Sequence, residues 1–134
     1  MENTALVNKN ILIAEDDDAC RYLFELFLEG TGCSFTIVGN GEEALSKVRS
    51  EKFDVVLMDL RMPLMNGYEA SRAIRETDIA LSIIALTAHA LAWEDGKCQA
   101  SGMNDYLIKP CTKEQVIEKL VQWTDKKISD GRPS

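Results

Sequence analysis

Short apolar runs alternate with longer amphipathic segments along the chain, and the alternation recurs five times without internal repeats. ILIA (11–14), FTIV (35–38), VVLM (55–58), SIIAL (82–86) and DYLI (105–108) have the length and β-branched content of strands buried on both faces. Between the first two, Cys20, Leu23, Phe24, Phe27 and Leu28 fall at i, i+3, i+4, i+7 and i+8. That spacing predicts a helix with an apolar stripe, Asp18 as its N-cap and Gly30 and Gly32 as stops. Further helices are predicted at 41–50, 67–76 and 113–127, the last with Val116, Ile117, Leu120, Val121 and Thr124 on one face. Residues 90–101 form a poorer helix, because Gly96 costs about 1 kcal/mol relative to alanine and the apolar stripe is thin. Five β-α units joined by short connections imply a parallel sheet with right-handed crossovers and helices on both faces; the flavodoxin-like (βα)5 arrangement, a doubly wound sheet of strand order 2-1-3-4-5, is the one expected. One domain over 9–127 is expected, with an N-terminal extension at 1–8 and a polar tail at 128–134.

Composition narrows the chemistry. Twenty-two acidic against 15 basic side chains give a net charge of −7, which repels phosphate backbones and argues against nucleic-acid binding. No run is long and apolar enough for a membrane span and the N-terminus lacks signal-peptide features, so a cytoplasmic location is expected. The four cysteines are dispersed, without a C-x-x-C pair or a histidine cluster, and read as small core hydrophobes.

The chemistry-bearing residues stand at the carboxyl ends of the strands, where open α/β sheets place their sites. Strand one runs into Glu15 and Asp16, strand three into Asp59, strand four into Thr87 and strand five into Lys109. In the 2-1-3-4-5 order, Glu15 and Asp16 lie beside Asp59 at the reversal of strand order. Like charges at about 4 Å repel by about 4 kcal/mol at an effective dielectric of 20, so such a cluster calls for a cation. Oxygen ligands without histidine or thiolate favour Mg²⁺, with Mn²⁺ as the alternative. A carboxylate can attack phosphorus to give an acyl phosphate while metal and lysine stabilise the phosphoryl oxygens, and Asp59 is the candidate nucleophile.

ILIAEDD, DVVLMDLRMPLMNG, IIALTA and DYLIKP together resemble the receiver domains of two-component response regulators over about residues 9–127. ALTAHA, KC and SGMNDYLIKP are most similar to receivers of hybrid histidine kinase phosphorelays. The resemblance implies Asp59 as phosphoacceptor, with Glu15, Asp16, Asp59 and the Arg61 main-chain carbonyl as metal ligands. It further implies Thr87 and Lys109 around the phosphoryl group and Tyr106 as the aromatic whose rotamer follows Thr87. The function implied is a phosphorylation switch that assists its own phosphoryl transfer and dephosphorylation. A histidine kinase or histidine phosphotransfer domain would be the donor, and a downstream protein would read the face made by the fourth helix, fifth strand and fifth helix. Asn66 and Cys111 depart from the family's usual residues.

Each residue also has a plainer reading. Asp17 and Asp18 suit a helix start, His89 a surface position that tunes water access, Tyr106 a core aromatic, and Trp93 either a partner surface or a chance exposed ring. An aspartate-nucleophile phosphatase would need a second acid two residues after its nucleophile, and Arg61 stands there. A nucleotide- or flavin-binding module would need a glycine-rich loop after strand one, where this chain has DDDACR. A pseudo-receiver that only binds protein partners stays open at this level.

Overall fold

The computed structural model describes residues 5–129, with side chains described as far as Thr124. Residues 1–4 of the expected extension and 130–134 of the expected tail lie outside the described residues. Strands β1 (Asn10–Ala14), β2 (Ser34–Val38), β3 (Val55–Asp59), β4 (Ser82–Thr87) and β5 (Asp105–Ile108) form one parallel sheet in the order β2-β1-β3-β4-β5, the expected topology. Helices α1 (Asp18–Leu28), α2 (Gly41–Ser50), α3 (Gly67–Arg75), α4 (Leu91–Glu94), α5 (Lys97–Ala100) and α6 (Lys113–Ser129) complete the described elements.

Side chains alternate across each strand, so the sheet divides the core in two. Leu12, Val56, Met58, Ile83 and Ala85 face Ala44, Leu45, Ala70 and Ile74 of α2 and α3. Ile11, Ile13, Val55, Leu57, Ile84 and Leu86 face Phe24 and Leu28 of α1 and Val116 and Leu120 of α6. Both faces are therefore covered, which is what the near-continuous apolar runs anticipate. The central strands β1, β3 and β4 are buried almost throughout, whereas β2 and β5, at the sheet edges, are only partly so. Leu6 belongs to the second core half, 1% exposed, although it precedes the first strand.

Four expectations need correction. Asp17, not Asp18, caps α1, its carboxylate accepting from the Cys20 amide at 3.0 Å. Of the predicted α1 stripe only Phe24 and Leu28 are buried; Leu23 is 42% exposed, because the stripe is wider than the surface α1 packs against. The expected helix over 90–101 is two single turns, α4 and α5, parted by Gly96 at φ +84°. That left-handed conformation is one glycine takes without steric cost, and it interrupts the helix outright. Last, α6 runs two residues beyond the predicted end.

The departure at Asn66 is absorbed by capping. Its side chain accepts from the Glu69 amide at 2.9 Å while Glu69 accepts from the Asn66 amide at 3.0 Å, a reciprocal cap that starts α3. In the loop before it, Met65 N donates to Pro63 O at 2.7 Å across Leu64, which has φ +68° and is 77% exposed. A leucine held left-handed without burial is strained by about 1–2 kcal/mol. Leu64→Asn is expected to raise unfolding stability by about 1 kcal/mol in urea titration, since asparagine tolerates this backbone.

At the start of β5, Asp105 accepts from Lys119 Nζ at 2.7 Å and Trp123 Nε1 at 2.8 Å, tying α6 to the sheet. Burial works to raise its carboxyl, but these bonds and the Tyr106 amide outweigh it and hold it below the usual value. A carboxyl lowered in the folded state stabilises above its unfolded pKa, and the benefit fades as pH falls through the folded one. Asp105→Asn should therefore cost about 1 kcal/mol at pH 7 and progressively less as pH falls below about 4, measured by denaturant unfolding across pH.

Candidate functional site

The sheet register assembles the site. Ala14 pairs with Met58, Asp59 with Leu86 and Thr87 with Ile108, so Glu15, Asp59, Thr87 and Lys109 leave adjacent strand ends together. Lys109 Nζ donates to Glu15 Oε1 at 2.9 Å and to Asp59 Oδ2 at 3.2 Å. Glu15, Asp16 and Asp59 each offer an oxygen, all within 4.8 Å of one another. Glu15 is wholly buried and Asp59 nearly so, while Asp16 is exposed and faces solvent at the mouth.

Burial pushes the Glu15 carboxyl up to about 7, the neighbouring Asp59 adds to the rise, and Lys109 and the Asp17 amide work against it. For Lys109 burial works downward, but Glu15 and Asp59 outweigh it and raise the ammonium above the ordinary lysine range. Lys109 thus stays charged, and the cost of gathering negative charge falls on Glu15. One ammonium does not balance three carboxylates. The oxygen-only donor set and the remaining negative charge fit a hard divalent cation.

The other predicted residues line the same opening. Asp59, Arg61, Thr87, His89 and Lys109 border a groove of about 550 Å³ whose far wall includes Tyr68, Leu91, Asp95 and Lys97. Arg61 donates its main-chain N–H to Asp59 Oδ1 at 3.2 Å, and its side chain is exposed. The Thr87 hydroxyl accepts from the His89 amide and donates to the His89 carbonyl, both at 3.2 Å, so it is engaged with its own loop. His89 is exposed, as expected of a surface position. Tyr106 stands outside the groove, stacked on Trp93 with ring centroids 5.2 Å apart and planes at 27°. Trp93 is therefore half-buried against a neighbour rather than a freely exposed ring. The Lys109-Pro110 peptide is cis.

Several supporting contacts escape a reading of the sequence. Arg21, one turn into α1, donates to the Glu15 carbonyl at 3.1 Å. It lies across Gly39, where an added Cβ would come within 3.1 Å of its guanidinium. The Asp17 amide donates to Glu15 Oε2 at 3.1 Å. Gly67 packs against the main chain of the candidate nucleophile, where an added Cβ would meet the Asp59 carbonyl oxygen. Only a helical wheel for α1 could have pointed Arg21 back to the strand ends, and no local pattern displays the room that Gly67 leaves for the Asp59 main chain.

Residues 11–121 match the response regulator receiver domain family. Sensor histidine kinase GacS of Pseudomonas protegens is 37% identical over 128 residues, covering 92% of this chain and 14% of that protein. Transcription factor SKN7 of Candida albicans is 39% identical over 111 residues, covering 83% of this chain and 20% of that protein. The chain thus spans a small part of the curated relatives it matches. Among solved structures, the receiver domain of a sensor histidine kinase from Pseudomonas aeruginosa PAO1 aligns with TM-score 0.82 at 35% identity, covering 89% of this chain and 99% of that one. It holds a magnesium ion in its active site cleft. The receiver domain of Saccharomyces cerevisiae Ssk1, solved with the histidine phosphotransfer protein Ypd1, aligns with TM-score 0.84 at 28% identity, covering 91% and 92%. Among the described residues no helix is long and apolar enough to cross a membrane.

Gly67→Ala forces its methyl group onto backbone that cannot swing aside, and is expected to destabilise the fold by roughly 3 kcal/mol in urea unfolding. Wild-type stability in this variant would mean that the Asp59 main chain is not held by this contact.

Proposed function

Because the chain belongs to the response regulator receiver domain family, we propose that it is a phosphoacceptor switch whose reactive group is Asp59. The observation that carries this reading is the single ammonium of Lys109 set between Glu15 and Asp59 at the strand ends, at 2.9 and 3.2 Å. An Asp59 Oδ attacks the phosphorus of a phosphohistidine; the P–O bond forms as the P–N bond breaks, and the imidazole leaves with the electron pair. Lys109 faces the phosphoryl oxygens, and the Thr87 hydroxyl, turned from His89, donates to one of them. Glu15, Asp16, Asp59 and the Arg61 main-chain carbonyl are the donors for Mg²⁺, or Mn²⁺ in its place, which when bound offsets charge on the phosphoryl oxygens. Hydrolysis of the acyl phosphate resets the switch, with His89 and Arg61 at the groove governing water access.

The donor is a histidine kinase or a histidine phosphotransfer domain. Leu23 and Leu26, 42% and 43% exposed on α1, and a small apolar groove beside Lys109 and Pro110 give its helices a surface next to the acids. The downstream partner reads the face of α4, β5 and α6, where Leu91 and Ile108 are exposed at 67% and 37%.

Phosphoramidate with Mg²⁺ is expected to add one hydroxylamine-labile phosphoryl group, seen by intact mass spectrometry. Asp59→Asn should abolish it, and EDTA should suppress it. Equal labelling of Asp59→Asn would reject Asp59 as acceptor, and a wild-type chain that never labels under conditions that label a control receiver would favour a pure binding module.

A further inference from the structure

Resting on the cation site in the reading just given, we propose that Arg21 is a positioning residue of that site, which aims Asp16 through the main chain rather than by touching its carboxylate. The three acids are held very unequally. Glu15 is fastened from several sides: its amide donates to the Val38 carbonyl at 2.9 Å, and its carboxylate accepts from Lys109 at 2.9 Å and from the Asp17 amide at 3.1 Å. Asp59 accepts from Lys109 on Oδ2 and from the Arg61 amide on Oδ1, both at 3.2 Å. Asp16 is exposed, and among the described residues neither its carboxylate nor its main chain makes a hydrogen bond. Even so, one of its oxygens lies within 4.8 Å of an oxygen of each of the other two acids.

The two peptide planes that flank Asp16 account for this placement. A peptide unit is rigid, so a bond to its oxygen or its N–H restrains both of the Cα atoms it joins. The plane between Asp16 and Asp17 is held by the Asp17 amide on Glu15 Oε2. The plane between Glu15 and Asp16 lies beyond the end of β1, and its carbonyl accepts from Arg21 Nη1 at 3.1 Å. Arg21 is delivered to that carbonyl by the first turn of α1, where its own amide donates to the Asp17 carbonyl at 2.9 Å. Without the guanidinium, Glu15 ψ and Asp16 φ are free to turn together, and the Asp16 carboxylate turns with them. Its oxygens are left unspent by the protein while its direction is set from the backbone, an arrangement suited to a ligand that must give both its geometry and its charge to a cation.

Charge and geometry make opposite demands on Arg21. The guanidinium is a positive charge bonded to the residue next to Asp16, and by Coulomb repulsion alone it disfavours a divalent cation at the acids. Its removal should then tighten cation binding. If Arg21 acts by aiming Asp16, its removal loosens binding despite the charge that is lost. The sign of the change therefore separates the two roles.

Mn²⁺ is the probe, titrated into the full chain at fixed ionic strength with free Mn²⁺ read by electron paramagnetic resonance. Arg21→Ala is expected to bind about tenfold more weakly than wild type. Arg21→Met, which keeps an unbranched stem but neither donor nor charge, should show the same loss, and metal-free urea unfolding of each variant verifies that it is folded. In an Asp16→Ala background, where Glu15 and Asp59 remain for residual binding, Arg21→Met should leave binding unchanged or tighten it, because no ligand is left to aim. Binding by both Arg21 variants at wild-type strength or tighter overturns the positioning role and leaves the phosphoacceptor reading intact. An equal loss in the Asp16→Ala background overturns it as well, since Arg21 would then support the whole site and not Asp16. A wild-type chain that binds no Mn²⁺ overturns the cation site itself and this inference with it.

Discussion

Lys109 places one ammonium between two carboxylates whose mutual repulsion burial makes costlier, and the top of the sheet is organised around that contact. Two ionised acids at about 4 Å cost about 4 kcal/mol at an effective dielectric of 20, a large fraction of the net stability of a domain of this size. Sheet register brings the groups together; burial of Glu15 makes their charge expensive; the lysine offsets part of it. The residual negative charge is what makes the pocket receptive to a divalent cation. Arg21 and the Asp17 amide hold the Glu15 turn, and Gly67 leaves room for the Asp59 main chain. The acids are thus mounted on rigid strand ends, with their strain relieved by charge from outside rather than by movement.

The buried strands that carry the acids contrast with the exposed loop immediately beyond Thr87. Strands β3 and β4 are packed on both faces, whereas the residues after β4 form a single exposed turn before Gly96.

Fold class and site were legible because both rest on short-range regularities: five apolar runs, helical spacing between them, and acids or a lysine directly after the runs. Short β-α connections make the strands parallel, and the 2-1-3-4-5 order puts Glu15 beside Asp59. The split of the fourth helix was half-legible, since Gly96 weakens a helix on propensity grounds, while the Arg72 and Arg75 contacts that hold Ser101, Gly102 and Asn104 come from nearly thirty positions away. The exposure of Leu23 and the stacking of Trp93 on Tyr106 were hidden for the same reason: a periodic stripe names a face but not how much of it a neighbour covers. Asp17 displaced Asp18 as cap by one residue, which is the ordinary uncertainty of a run of three acids.

Asn66-Gly67 is a dipeptide that in a flexible chain ages by attack of the glycine nitrogen on the asparagine carboxamide, through a cyclic imide. Here both partners are engaged: Gly67 N donates to the Leu60 carbonyl at 3.1 Å, and the Asn66 carboxamide oxygen is held by the Glu69 amide. The reciprocal cap that starts α3 therefore doubles as chemical protection, effective while the protein is folded and lost when it opens. Damage at this bond would accumulate in proportion to time spent unfolded, making deamidation at residue 66 an internal clock of how often the loop behind the acids comes apart.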